Sequence, residues 1–235
     1  MAVGWAQNIL MSRNIGIYII MQKNTFLEDL KNSTVTKTDL LTELKRKSVH
    51  FFALIIPILY MIVPPKQAML ILASFAFLSV LLDLLKYYDR RFRLLYVKVG
   101  GKLLRSHEFK RFTSSSYILC AALIAVVAFD KWVAVVVLVN IILGDIAAAI
   151  FGKRFGKHYT INNKTLEGSM AFFIAAYFGS IIFKMTAGLI APWAALFTGA
   201  LVATVVESLP LGIDDNLTVP LLTGLLLQLM YIGHF

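Results

Sequence analysis

Trp132 to Phe151 reads WVAVVVLVNIILGDIAAAIF, and this stretch decides the fold. It carries one ionisable side chain, Asp145. Crossing the hydrocarbon core takes about 20 apolar residues at ~1.5 Å each, so residues 132–151 are read as a transmembrane helix. Asp145 then lies about six residues from the helix end, or ~9 Å along its axis. An ionised carboxylate at that depth costs about 2–3 kcal/mol unless it meets a partner or a water-filled cleft. Asp145 is thus either a functional residue or half of a structural pair with a Lys or Arg of a neighbouring helix.

Working outward, six further apolar stretches appear at 48–63, 67–85, 116–129, 169–183, 189–206 and 217–233. Pro64-Pro65 breaks the first pair with a tight turn. Asp130-Lys131 and Lys184 to Gly188 separate later ones. The 235-residue chain is 59% hydrophobic and 15% charged, with mean hydropathy +0.76. A soluble domain is nearer half apolar and a quarter charged, so the surplus must face lipid. The expected fold is all-α, a polytopic membrane bundle of about seven transmembrane helices. Residues 1–42 form a more polar N-terminal extension, either amphipathic on the membrane surface or loosely ordered, and residues 43–235 form the embedded domain. Cys120 is the only cysteine, which excludes an internal disulfide.

The net charge of +10 is not spread evenly. Lys45, Arg46 and Lys47 precede the first span. The loop 86–111 carries Lys86, Arg90, Arg91, Arg93, Lys98, Lys102, Arg105, Lys110 and Arg111. The loop 152–168 carries Lys153, Arg154, Lys157 and Lys164. Seven spans put these sixteen basic residues on one face, against Lys66, Lys131 and Lys184 on the other. The positive-inside rule predicts a cytoplasmic N-terminus and cytoplasmic basic loops. The charge therefore serves topology, anionic lipids and phosphates; no nucleic-acid partner is expected.

The polar motifs fall on that same face. Gly144-Asp145 leads into Gly152-Lys153-Arg154-Phe155-Gly156-Lys157. Small residues let a backbone or ligand approach closely, and basic residues beside glycines suit phosphates. Close helix packing explains the glycines equally well, and the spacing is not that of a Walker loop. Next come Lys164-Thr165-Leu166-Glu167-Gly168-Ser169, an inventory for phosphate and Mg²⁺. The plainer reading is a polar loop with Thr165 and Ser169 capping a helix. Glu43, Arg46, Lys47 and His50 share one helical stripe at i, i+3, i+4, i+7. Glu207, Asp214, Asp215 and Asn216 form an acidic set before the last span, suited to Mg²⁺ or to pairing with the basic loops. Arg105 to Glu108 and the hydroxyls Thr113 to Ser116 complete the list.

In this order the motifs resemble the CTP-dependent lipid kinase family, which comprises dolichol, phytol and farnesol kinases and CTP-dependent diacylglycerol kinases. The matching elements are Glu43-x-x-Arg46-Lys47-x-x-His50, Arg105/Glu108…Tyr117, Gly144-Asp145-x-x-Ala148-x-x-x-Gly152-x-x-x-Gly156, Lys164-Thr165-x-Glu167-Gly168-Ser169 and Glu207…Asp215-Asn216-Leu217. They cover residues 43–217; residues 1–42 have no counterpart in these motifs. The Gly-Asp and Lys-Thr-x-Glu-Gly-Ser elements also look like phosphatidate cytidylyltransferase. That enzyme typically carries His-Gly-Gly-x-x-Asp-Arg-x-Asp where this chain reads Leu211-Gly212-Ile213-Asp214-Asp215-Asn216-Leu217. The departure favours the kinase branch.

The resemblance implies CTP as phosphoryl donor, Mg²⁺ as cofactor, and a membrane lipid alcohol as acceptor at the cytoplasmic face. It implies catalytic roles for Asp145, Lys164, Glu167 and Asp215, with Asp145, Glu167 and Asp215 holding the metal. Nucleotide-binding positions would be Arg46, Lys47, His50, Arg105, Gly144, Gly152, Gly156, Lys157, Thr165, Gly168, Ser169 and Asn216. The alternatives are transfer of CMP to a lipid phosphate and, further off, a non-catalytic transporter or scaffold. Against a transporter, the intramembrane charge gathers at one face rather than the midplane.

Overall fold

The computed structural model describes residues 47–48, 50–100, 112–160 and 164–231. These fold into eight α-helices: α1 Ile55–Ile62, α2 Pro65–Tyr88, α3 Arg90–Gly100, α4 Ser114–Ala128, α5 Lys131–Phe155, α6 Leu166–Ala187, α7 Trp193–Ser208 and α8 Asp215–Met230. One 3₁₀ turn, Phe52–Leu54, leads into α1. Each of the seven apolar stretches forms a helix, as expected where lipid leaves backbone groups no water to bond. By length and composition α2, α5 and α6 can each cross a membrane. The segment 52–62, α4 and α7 are shorter apolar helices. Leu70, Phe77, Ile182 and Ile190 are among many large apolar side chains left on the outside, where only lipid covers them at no cost.

The stretch that decides the fold is also its centre. Val133 to Val139, Ile141 and Ile142 in α5 are wholly buried, with α1, α4, α6, α7 and α8 packed around them. Small residues permit the close approaches. A Cβ on Gly144 would stand 2.6 Å from the Phe172 ring, and one on Gly179 would stand 2.3 Å from Leu143 Cδ1. Between the same two helices Ser180 Oγ donates to Asn140 Oδ1 at 2.7 Å, a polar tie of the kind membrane helices use.

Three features differ from the sequence reading. First, α5 runs on to Phe155 rather than ending at 151, so Asp145 is ten residues, ~15 Å, from the helix end. Lys153 and Arg154 do not stop the helix, because basic residues in a last turn suit its dipole. Gly156 ends it, in extended backbone. Second, the long basic loop contains α3, which is amphipathic: Phe92, Leu95, Tyr96 and Val99 share one face at helical spacing. Third, Lys86, counted among the loop charges, lies in α2 and is fully buried. Its ammonium donates to Asp83 Oδ1 at 2.7 Å. Asp83 Oδ2 in turn accepts from Thr113 N at 2.8 Å and Ser116 Oγ at 2.6 Å. This carboxylate joins α2 to the start of α4. Arg93 of α3 donates to the carbonyls of Lys86 and Tyr87 at 2.9 and 2.8 Å.

The end of the bundle that carries the Pro64-Pro65 turn uses its polar groups structurally. Lys131 donates to Met61 O at 3.2 Å. Asp130 and Gln228 hold one another. Lys184 donates to Ala191 O at 2.5 Å and lies over the Trp193 ring.

Candidate active site

The opposite end is different. Lys47, His50, Asp145, Lys164, Asp214, Asp215 and Asn216 border a single cavity of about 1090 Å³. Four separate stretches bring them together: the start of the first span, mid-α5, the loop before α6, and the start of α8.

Lys47 forms an ion pair with Asp145 Oδ2. Its side chain is 5% exposed and that of Asp145 29%, so the carboxylate keeps a path to the cavity. His50 Nε2 stands 3.5 Å from the same oxygen. It is buried with no hydrogen-bond partner, as the separation is at the limit for a bond. Both partners of Asp145 come from one helical turn, as the i, i+3 spacing of Lys47 and His50 requires.

Lys164 is held from two sides. Its ammonium meets Glu207 Oε1 at 2.8 Å and Asp215 Oδ2 at 2.9 Å, and it also donates to the Glu207 carbonyl. Burial works against the charged amine, but the Glu207 and then the Asp215 carboxylate outweigh it. The Lys164 pKa therefore stands above the ordinary lysine value, and the residue is a fixed cation at neutral pH. A short hairpin presents it: Thr160 N donates to Lys164 O at 2.7 Å and Leu166 N to His158 O at 2.9 Å. Asp214 caps α8, accepting from Asn216 N at 3.0 Å and Asn216 Nδ2 at 2.8 Å. That leaves the buried Asn216 Oδ1 without a partner in the protein.

The remaining expected positions that the structure describes do not border this cavity. Arg46, Arg105 and residues 1–42 lie outside the described residues. Glu167, on the first turn of α6, does not border the cavity, and its carboxylate accepts from His158 Nδ1 at 2.7 Å. Thr165 caps α6 through Gly168 N at 3.2 Å. Gly152, Gly156 and Gly168 pack against Thr165 and one another: a Cβ on Gly156 would meet Gly152 O at 2.2 Å, and one on Gly168 would meet Ala148 O at 3.2 Å. These glycines let the end of α5 pass close to the start of α6, the packing alternative. Gly144 serves the α5–α6 contact as well. Ser169 pairs with Ser208 Oγ at 3.3 Å, and Lys157 is exposed. Sequence reasoning noted Glu207 and Asp214 without placing them in the site. It missed Asp83, although an acid three residues before a lysine inside an apolar run is the same signal that exposed Asp145.

The three-carboxylate metal set does not gather. Among the described residues no group of three or more His, Cys, Asp or Glu side chains is close enough to hold a metal ion. Asp145 and Asp215 do border the same cavity. Magnesium is usually held by one or two carboxylates together with substrate phosphates, so these two residues fit an ion that arrives with a nucleotide.

A membrane-embedded helical bundle with a charged cavity end is the class defined by this fold and site. The chain belongs to the cytidylyltransferase family, whose model matches residues 5–208. The match takes in the N-terminal segment for which the motifs gave no counterpart, and stops short of Asp215. The chain is 28% identical over 184 residues to an uncharacterized protein of Rickettsia prowazekii, covering 76% of this chain and 90% of that one. It is 26% identical over 161 residues to the CTP-dependent diacylglycerol kinase of Schizosaccharomyces pombe, covering 63% of this chain and 74% of the relative. It is 28% identical over 172 residues to that of Eremothecium gossypii, covering 63% and 54%. The resemblance to CTP-dependent lipid kinases is thus borne out. No solved structure matches the chain.

Proposed function

We propose that the chain is a CTP-dependent kinase of a membrane lipid alcohol, acting at the cytoplasmic face through the domain 43–235. The observation that carries the reading is one cavity with two characters. Its charged end holds Lys47, His50, Asp145, Lys164, Asp214, Asp215 and Asn216, and apart from the hydroxyls Thr113 to Ser115 most of the rest of its wall is apolar. A phosphorylated, water-soluble donor and a lipid hydroxyl need such a junction.

Lys164 and Lys47 neutralise the triphosphate, each exchanging a carboxylate contact for a phosphate one. His50 and Asn216 Oδ1 offer further polar contacts. Asp145 lies on the acceptor side, since its partners Lys47 and His50 begin the segment whose next turns form the apolar wall. It takes the hydroxyl proton as the acceptor oxygen bonds to the γ-phosphorus, and the bond from phosphorus to the β–γ bridging oxygen breaks to release CDP. Magnesium, held by Asp145 and Asp215, would supply further charge neutralisation. Positioning and electrostatics suffice for phosphoryl transfer. Glu167, tied to His158, steadies the hairpin that carries Lys164. Diacylglycerol is the acceptor that the named relatives suggest; a dolichol, phytol or other polyprenol alcohol has the same reacting group.

A second reading, transfer of CMP to a lipid phosphate, draws on the family's description. Product analysis separates the two: a kinase releases CDP, a cytidylyltransferase pyrophosphate.

A further inference from the structure

The charged end uses only part of the cavity. Drug-sized ligands fill about 300–1,000 Å³, and this space exceeds that range at about 1090 Å³. Its remainder is an arm between α1 and α2. Helix α1 packs on α5 and α2 packs on α4, so the two antiparallel helices stand apart beyond their turn. Ile56 and Tyr60 line one wall and Ala68, Leu72 and Phe75 the other, while Tyr96 of α3 borders the cavity near Lys86, toward the other end of α2.

Three observations fix what the arm fits. It is continuous with Asp145 and His50, so its occupant carries a polar group at one end only. From His50 to Tyr60 it runs ten residues, ~15 Å at helical rise, which is half of the ~30 Å hydrocarbon core. Its far end is closed: Tyr60 is buried, with the Lys131 ammonium 5.4 Å from its ring centroid. Along the side it is open, since Ile55, Leu59, Ile71 and Phe75 line it and are still exposed. A lipid can therefore slide in from the membrane without leaving it.

We infer that the α1–α2 arm seats one hydrocarbon chain of the acceptor, about one leaflet long, with its hydroxyl at Asp145 and its terminus against Tyr60 and Ala68. The inference rests on the lipid-kinase reading and adds where the chain lies and what limits its length. Access through the side places the hydroxyl at the charged end while the chain stays in an apolar environment, so no hydrocarbon is moved through water.

The test uses the full chain in phosphatidylcholine nanodiscs and a diacylglycerol with a diazirine at one acyl terminus. Irradiation should label the peptides holding Tyr60, Ala68 and Leu72, and excess unlabelled diacylglycerol should suppress that label at least fivefold. Ala68→Trp and Leu72→Trp, which fill the arm, should each suppress it likewise. Suppressible label found only on outward positions such as Leu70 and Phe77, or none at all, overturns the inference. So does arm labelling that both tryptophans leave unchanged. The wild-type map decides even where a variant fails to fold. CTP turnover is followed in the same discs: arm label without turnover sinks the kinase reading and keeps the chain seat, and turnover without arm label does the reverse.

Discussion

Lys47 and Asp145, 98 residues apart in the chain, meet as an ion pair at the edge of the cavity. The lysine is almost fully buried and the carboxylate is not. An acid deep in a membrane span is thereby matched without being sealed off. Asp145→Asn keeps the shape and removes the charge. It should lower turnover by at least about 100-fold, the usual scale for losing a group that acts on the transition state. The check is steady-state kinetics on protein whose helical circular dichroism is unchanged. A loss under about threefold would place the chemistry elsewhere.

Lys164 lies between Glu207 and Asp215. Lys164→Ala leaves two carboxylates facing each other with no cation, and removes a phosphate contact. We expect CTP binding to weaken about 10–100-fold, the 1.5–3 kcal/mol of a hydrogen bond to a charged group. Lys164→Arg should restore part of it. Isothermal titration with CTP measures both; equal loss in the two variants would mean that charge at this position is not what matters.

Glu167 and His158 hold the hairpin that carries Lys164. Glu167→Gln should raise KM for CTP about tenfold, by loosening the placement of one charged contact. Its magnesium requirement should stay as in the wild type. A magnesium titration at fixed CTP decides, because a requirement shifted to higher concentration would return Glu167 to the metal.

Asp83 binds Lys86, Thr113 and Ser116 where all are buried. Removing one partner of a buried pair costs about 3–5 kcal/mol. Asp83→Ala should therefore lower the midpoint of thermal unfolding in detergent by several degrees, with Lys86→Met in the same chain recovering part of the loss. A melting curve unchanged by Asp83→Ala would mean that the network adds nothing to stability.

The seven-span topology is tested by labelling. In a Cys120→Ala background, Thr160→Cys should react with an impermeant maleimide only from the cytoplasmic side. Reaction from the opposite side would invert the arrangement.

Much of this was legible in the residues. The apolar runs gave the helices because lipid permits little else, and Asp145 stood out because a carboxylate inside such a run needs a reason. Helix ends were less legible: Gly152 to Arg154 read as a loop, yet glycine packed on Thr165 and basic residues at a helix C-terminus both suit a helix. Helix α3 was hidden by its arginines: Arg90 and Arg91 are exposed and Arg93 bonds back to α2, while Phe92 and Tyr96 line the cavity. Linear proximity misled most at Glu167. It lies three positions from Lys164, but the capped start of α6 turns the two apart, and Lys164 meets residues 43 and 51 positions away instead. Such pairings depend on how helices stack, which no short motif states.

The central claim is the transfer of a γ-phosphoryl group to a lipid hydroxyl. Purified protein in nanodiscs is incubated with γ-³²P-CTP, magnesium and diacylglycerol, with α-³²P-CTP in parallel and a polyprenol as second acceptor. The account predicts label in the extracted lipid from the γ position only, with stoichiometric CDP. Label entering lipid from the α position, with pyrophosphate released, would contradict it.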